Sequence, residues 1–148
     1  MKLGELLNEK ELKHRPAVTV APSDTITHVI QKLVAFDIGS LPVCNEKGNL
    51  VGIITERDVV RKALNHIKDF KGLRVVDIMS QKVAIGTPDD DIAYAISVMK
   101  QQKIRHLPIL DKQKVVGMIS MRDLLGFQLE ESEERVRFLS DYISGGYV

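Results

Sequence analysis

The chain has no tryptophan and a single cysteine, and only 5% of its 148 residues are aromatic. A lone Cys44 cannot close a disulfide within one chain, so a disulfide-stapled scaffold is excluded and a reducing compartment fits. So few aromatic rings leave little on which nucleobases could stack. Positive charge is not concentrated anywhere: residues 1–15 sum to +1, 16–72 to +1, 73–129 to +2 and 130–148 to −3. Nucleic acid is therefore not expected as the main partner. No stretch without Asp, Glu, Lys or Arg exceeds eight residues, which argues against a membrane-spanning segment. Met1 to Glu5 do not open an export signal, and a cytoplasmic location is expected.

Catalytic signatures are missing as well. There is no G-x-G, hence no dinucleotide fingerprint and no kinase-type glycine loop, and neither G-x-x-x-x-G-K nor G-x-S-x-G occurs. None of His14, His28, His66 and His106 precedes a glutamate, so H-E-x-x-H is absent. Cys44 follows Val43 in an apolar run and reads as a small core residue, not a nucleophile. Asp89-Asp90-Asp91 fits the start of a helix better than a metal site. The chain is not expected to be an enzyme or to hold a metal.

What the chain does contain is a copy of itself. Displaced by 66 residues, Pro22, Asp24, Ile26, Ile30, Ile38, Leu41 and Pro42 fall on Pro88, Asp90, Ile92, Ile96, Ile104, Leu107 and Pro108. After one deletion, Val51, Gly52, Ile54, Arg57 and Asp58 fall on Val116, Gly117, Ile119, Arg122 and Asp123. Twelve identities in order mark a duplication. Upstream, Glu5-Leu6-Leu7 resembles Asp77-Ile78-Met79.

Each copy reads β-α-β-β-α. Val18-Thr19-Val20 and Val83-Ala84-Ile85 are predicted first strands, each ended by a proline and a helix-start signal. Ile26, Val29, Ile30, Leu33 and Val34 form a helical stripe, as do Ile92, Ala95, Ile96 and Met99. Hairpins turn at Asn45–Gly48 and at Asp111–Lys114, and second helices start at Glu56 and Met121. One such unit buries too little surface to stand alone. The expectation is an α/β (α+β) fold in which two units pack with approximate two-fold symmetry around one shared core. Residues 1–66 form the first unit with an N-terminal helical segment, 67–76 a linker, 77–128 the second unit, and 129–148 a C-terminal amphipathic helix and tail.

The chemistry concentrates where a strand meets the second helix, in Gly52-Ile53-Ile54-Thr55-Glu56-Arg57-Asp58 and Gly117-Met118-Ile119-Ser120-Met121-Arg122-Asp123. A hydroxyl followed three residues later by a carboxylate is a capping box, and that explains either instance alone. Recurrence of the arginine and the glycine suggests more. A helix start with free N–H groups attracts anions, arginine pairs with phosphate, aspartate accepts from ribose hydroxyls, and glycine would let a ligand approach the strand.

These residues resemble the cystathionine β-synthase (CBS) domain pair, or Bateman module. The Gly, apolar, x, Thr/Ser, x, x, Asp signature stands in both copies, with the Leu-Pro strand and the Asp-Ile-Met run, and the layout is similar to stand-alone bacterial members. The resemblance covers Leu3 to about Gln128. It implies a regulatory or sensor module that binds AMP, ADP, ATP, NAD or S-adenosylmethionine in clefts between the copies, without catalysis, and acts on an effector protein that the sequence does not name. It assigns Thr55 and Ser120 to phosphate or ribose and Asp58 and Asp123 to the ribose hydroxyls, beside Arg57 and Arg122 as the arginines suited to phosphate. Adenine would lie against Val18, Thr19 and Val20, or against Val83, Ala84 and Ile85. Arg105-His106 resemble a phosphate-facing pair, whereas the first copy has Gly39-Ser40 there. One phosphate-rich cleft and one weak or empty cleft are therefore expected. The alternative is a scaffold that only dimerises or binds proteins, independent of any ligand.

Beyond the second copy, Leu125, Leu129, Val136, Leu139 and Ile143 recur at helical spacing, and Glu131–Arg135 and Glu133–Arg137 are i, i+4 pairs. Nothing further in the chain can cover that stripe, so a helix of a second subunit is expected against it. The resemblance implies a homodimer too. Gly145-Gly146 would end the helix.

Overall fold

A computed structural model describes residues 1–9, 12 and 17–144. Along the chain it forms α1 (Leu3–Leu7), α2 (Ile26–Phe36), β1 (Ser40–Cys44), β2 (Leu50–Thr55), α3 (Glu56–Ala63), a 3-10 segment (Leu64–Gly72), α4 (Val75–Ile78), α5 (Ile92–Gln102), β3 (His106–Asp111), β4 (Lys114–Ser120) and α6 (Met121–Ile143). Gly145-Gly146 lie outside the described residues.

The duplication is visible bond by bond. Asp24 Oδ2 accepts from Ala21 N at 2.8 Å, and Asp90 Oδ2 accepts from Thr87 N at 2.8 Å, fixing the same turn ahead of α2 and α5. The hairpins are antiparallel, with Leu41 opposite Ile54 and Leu107 opposite Ile119, and both slip register at one equivalent place, Val43/Cys44 and Ile109/Leu110. In the first turn Asn45 Oδ1 accepts from Lys47 N and Asn49 N, and Gly48 takes φ +81°. The second turn is shorter and uses Lys112 and Gln113 at φ 50° and 67°.

The expected first strands are reduced to single parallel bridges, Val20 to Val43 and Gly86 to Ile109. Each segment meets its sheet at one residue before the proline turn leads away, so Val18, Thr19 and Val83 to Ile85 form no strand.

The expectation of one shared core is corrected. Two apolar clusters form: one gathers Ile26, Val29, Leu41, Ile54, Leu73, Val75 and Ile78, the other Leu3, Leu6, Ile92, Met99, Leu107, Ile119 and Leu124. The N-terminal helix α1 thus packs on the second repeat, not on the first, and α4, with Leu73 just ahead of it, belongs to the first core although residues 67–76 read as linker. Paired contacts hold this exchange. Lys2 bridges to Asp91 and Arg74 to Thr25, while Glu5 Oε2 accepts from Lys2 N at 3.1 Å and Asp77 Oδ2 from Arg74 N at 2.9 Å. With a short helix closing each hairpin, neither unit needs the other's apolar face.

The signature glycines serve this packing. A β-carbon on Gly52 would lie 2.8 Å from Met79 Sδ, and one on Gly117 would lie 2.7 Å from Leu7 Cδ2. The protein's own short helices and the residues after them thus take up space over these strands, while Gly117 still lines an open cleft. Ile30 and Val34, part of the predicted stripe of α2, face outward, Val34 being 76% exposed.

The helix that closes the second repeat and the expected C-terminal helix are one continuous α6 of 23 residues, of which Leu124 alone is buried. Leu125, Leu129, Val136, Leu139 and Ile143 are exposed along it, Ile143 to 82%. Glu131 pairs with Arg135 at 3.1 Å.

Candidate functional site

Each second helix starts at a completed capping box. Thr55 Oγ1 accepts from Asp58 N at 3.1 Å while Asp58 Oδ2 accepts from Thr55 N at 3.1 Å. Ser120 Oγ accepts from Asp123 N at 3.1 Å while Asp123 Oδ2 accepts from Ser120 N at 2.9 Å. One carboxylate oxygen of each aspartate is therefore committed to its own helix, which is the capping role that sequence alone allowed. The loop ahead of each hairpin is tied to the same place: Glu56 N donates to Gly39 O at 3.0 Å, and Met121 N to Arg105 O at 2.8 Å. That tie brings Gly39-Ser40 and Arg105-His106 beside the helix starts.

Two clefts open at these junctions, of about 1000 and 990 Å³, each large enough for a nucleotide. Each joins one repeat's helix start to the other repeat's extended segment. Thr55, Arg57 and Asp58 line the cleft that also holds Val83 and Ala84. Ser120, Arg122 and Asp123 line the cleft that holds Val18. The remaining adenine candidates, Thr19, Val20 and Ile85, line neither cleft. Val20 is in the first core, the Thr19 carbonyl accepts from Lys32 Nζ at 2.7 Å, and Ile85 is on the exposed surface.

Arg105 and His106 line both clefts. The pair therefore stands at the boundary between the clefts and belongs to neither alone. Gly39 is part of the reason. A β-carbon there would lie 3.3 Å from His106 Nε2, so the first repeat leaves the imidazole room where a counterpart of Arg105 would stand. Burial holds the His106 pKa below its ordinary value, Arg105 lowers it further, and Glu56 and Asp123 partly oppose the shift. At neutral pH the ring is a neutral donor and acceptor.

Ser40 is the equivalent of His106 and faces the Ser120 cleft. It is only 3% exposed, and its Oγ has no hydrogen-bond partner among the described residues. An unsatisfied buried hydroxyl costs about 1–3 kcal/mol, which a polar ligand atom in that cleft would recover. Burial raises the Cys44 thiol pKa, with Lys114 pulling the other way, which disfavours the reactive thiolate.

Sequence reasoning missed Glu56, which lines both clefts, and Arg61, Lys82, Lys100 and Lys103, which line the Thr55 cleft. The signal was available in the repeat offset, which sets Lys103 against Asp37 and Lys100 against Val34. No group of three or more His, Cys, Asp or Glu with metal-site geometry is found among the described residues, and none of their helices is long and apolar enough to cross a membrane.

Comparison with known proteins agrees with this duplicated architecture. The CBS domain family model matches residues 10–65 and 75–130. The mitochondrial CBS domain-containing protein CBSX3 of Arabidopsis thaliana is 33% identical over 128 residues, covering 84% of this chain and 62% of that protein. The chain thus spans about three fifths of that relative's length. The CBS domain-containing protein YhcV of Bacillus subtilis is 30% identical over 115 residues, covering 78% of this chain and 81% of its own. The CBS domain pair of protein MJ0100, solved in complex with 5′-methylthioadenosine and S-adenosyl-L-methionine, superposes with a TM-score of 0.76 at 25% identity, covering 88% of this chain and 98% of that one. With two matched segments, two hairpin–helix units and two clefts between them, the chain belongs to the CBS-domain family and carries the domain twice, in tandem.

Proposed function

We propose that this chain is a regulatory module that binds an adenosine-containing ligand (AMP, ADP, ATP, NAD or S-adenosylmethionine) between its two repeats and has no catalytic role. One observation carries the reading: each cleft combines a capping-box hydroxyl and aspartate from one repeat with an extended apolar segment from the other. Asp58 and Asp123 accept from ribose hydroxyls. Thr55 or Ser120, the helix N–H groups, Arg57 or Arg122, and Arg105 with His106 hold phosphate. Adenine lies against Val83 and Ala84 in one cleft and against Val18 in the other. The binding of adenosine compounds by the MJ0100 pair supports the same ligand class here.

A ligand in either cleft touches residues of both repeats, so its binding energy favours one relative placement of the repeats. An effector protein would read that placement. The exposed apolar stripe of α6 supports a homodimer in which the helix is covered by its counterpart, and truncation after Gln128 is expected to weaken dimerisation at least tenfold in analytical ultracentrifugation. Calorimetric titration of the whole chain with adenosine, AMP, ATP, NAD and S-adenosylmethionine tests the central reading. Saturable binding of one of them is expected, and folded protein that binds none would leave only the scaffold alternative.

A further inference from the structure

The two clefts share a size and a backbone plan but not a charge. Six cations line the Thr55 cleft: Arg57, Arg61, Lys82, Lys100, Lys103 and Arg105, against the carboxylates of Glu56 and Asp58. Asp58 already caps its own helix. Among the described residues, none of the six is held in an ion pair. The Ser120 cleft reverses the balance, with Asp37, Glu56, Asp111 and Asp123 against Arg105 and Arg122 among the described residues. The repeat offset shows where the difference arises: Lys103 stands where the first copy has Asp37, Lys100 where it has Val34, Arg105 where it has Gly39, and Arg61 where the second copy has Gly126.

Helix polarity explains part of this cluster and no more. Lys100 is in the last turn of α5 and Lys103 is its C-cap, so both complement the negative end of the helix dipole. Arg61, in the last turn of α3, does the same for its own helix, whereas Lys82 and Arg105 lie in no helix or strand. Converging unpaired cations around a concavity of about 990 Å³ create a field that favours an anion of high charge over one of low charge.

Resting on the adenosine reading, we infer that the Thr55 cleft takes a nucleoside polyphosphate, its di- or triphosphate lying across Lys82, Lys100 and Lys103, and that the Ser120 cleft does not. Adenosine and AMP use the Asp58 end of the cleft, and each further phosphate engages the lysine rim. Such binding weakens as salt screens the rim.

Titration of the full chain with adenosine, AMP, ADP, ATP and inorganic tripolyphosphate at low salt tests this. Affinity is expected to rise stepwise from adenosine to ATP, with at least tenfold between AMP and ATP. Lys100→Glu with Lys103→Glu is expected to lower ATP affinity at least tenfold while adenosine affinity stays within twofold. Lys82→Glu, outside any helix, gives an independent version should the double variant lose its fold. Equal affinities for AMP and ATP, or charge-reversed variants that bind ATP like the parent, would overturn the inference and leave the adenosine reading standing. Tripolyphosphate binding without adenosine binding would overturn the adenosine reading and leave the charge assignment standing. Binding of none of the five would overturn both.

Discussion

The junction at Thr55 and the junction at Ser120 have the same capping box and the same tie to the preceding loop, yet they face clefts of opposite charge balance among the described residues. The difference shows which positions a duplicated fold leaves free to diverge. Residues that carry the packing, such as Ile54 and Ile119, remain identical and fully buried. Asp37 and Lys103 occupy the same left-handed helix C-cap, at φ 50° and 56°, and pack against neither core. Reversing charge there leaves the backbone plan intact and changes only what the cleft attracts.

The comparison breaks most visibly if the halves do not each own a core. Ile54→Ala and Ile119→Ala each remove a fully buried side chain and are expected to cost about 2–5 kcal/mol in urea unfolding. Because the two residues sit in separate clusters, the losses in a double variant should add. Strong non-additivity would mean that the repeats share one core after all.

A smaller effect separates Ser40 from its equivalent, His106. Ser40→Ala removes a buried hydroxyl that has no partner, so the ligand-free protein is expected to be stabilised by up to about 1 kcal/mol in thermal unfolding. Destabilisation would show that Ser40 does make a hydrogen bond in solution. His106 sharpens the contrast through pH. Its folded-state pKa is below the ordinary value, so the stability that depends on its neutrality is present above about pH 6.5 and lost as pH falls through the folded value. His106→Gln is expected to flatten that acid-side loss. Phosphate in either cleft favours the imidazolium, so nucleotide affinity should move the other way and rise as pH falls, with the slope reduced in His106→Gln. A pH profile unchanged by the substitution would remove His106 from both roles.

Much of this was legible in the residues. Twelve identities placed both hairpins, and the Thr-x-x-Asp and Ser-x-x-Asp spacings placed the capping boxes and hence the helix starts. The exchange of α1 and α4 between repeats was not legible, because helices of five and four residues are too short to show a period and nothing local says which hairpin they close. The first strands failed as strands because apolar alternation over three residues does not reveal that a single bridge is all they form. Arg105 and His106 were singled out by their likeness to a phosphate-facing pair, but their position between two clefts depends on the two-fold and on the absent side chain of Gly39. The lysine rim is split between the end of α5 and the segment ahead of that helix, and aligning the repeats against each other exposes Lys100 and Lys103.

The inequality of the two clefts is tested most directly by titrating ATP into Asp58→Ala and Asp123→Ala side by side. Both variants lose one capping box, about 1 kcal/mol of stability, so each is titrated at a temperature where it is fully folded and compared with the parent. The account predicts that Asp58→Ala loses about tenfold or more in ATP affinity, the weight of a hydrogen bond to a charged acceptor, while Asp123→Ala binds like the parent. Equal losses in both, or a loss confined to Asp123→Ala, would contradict it.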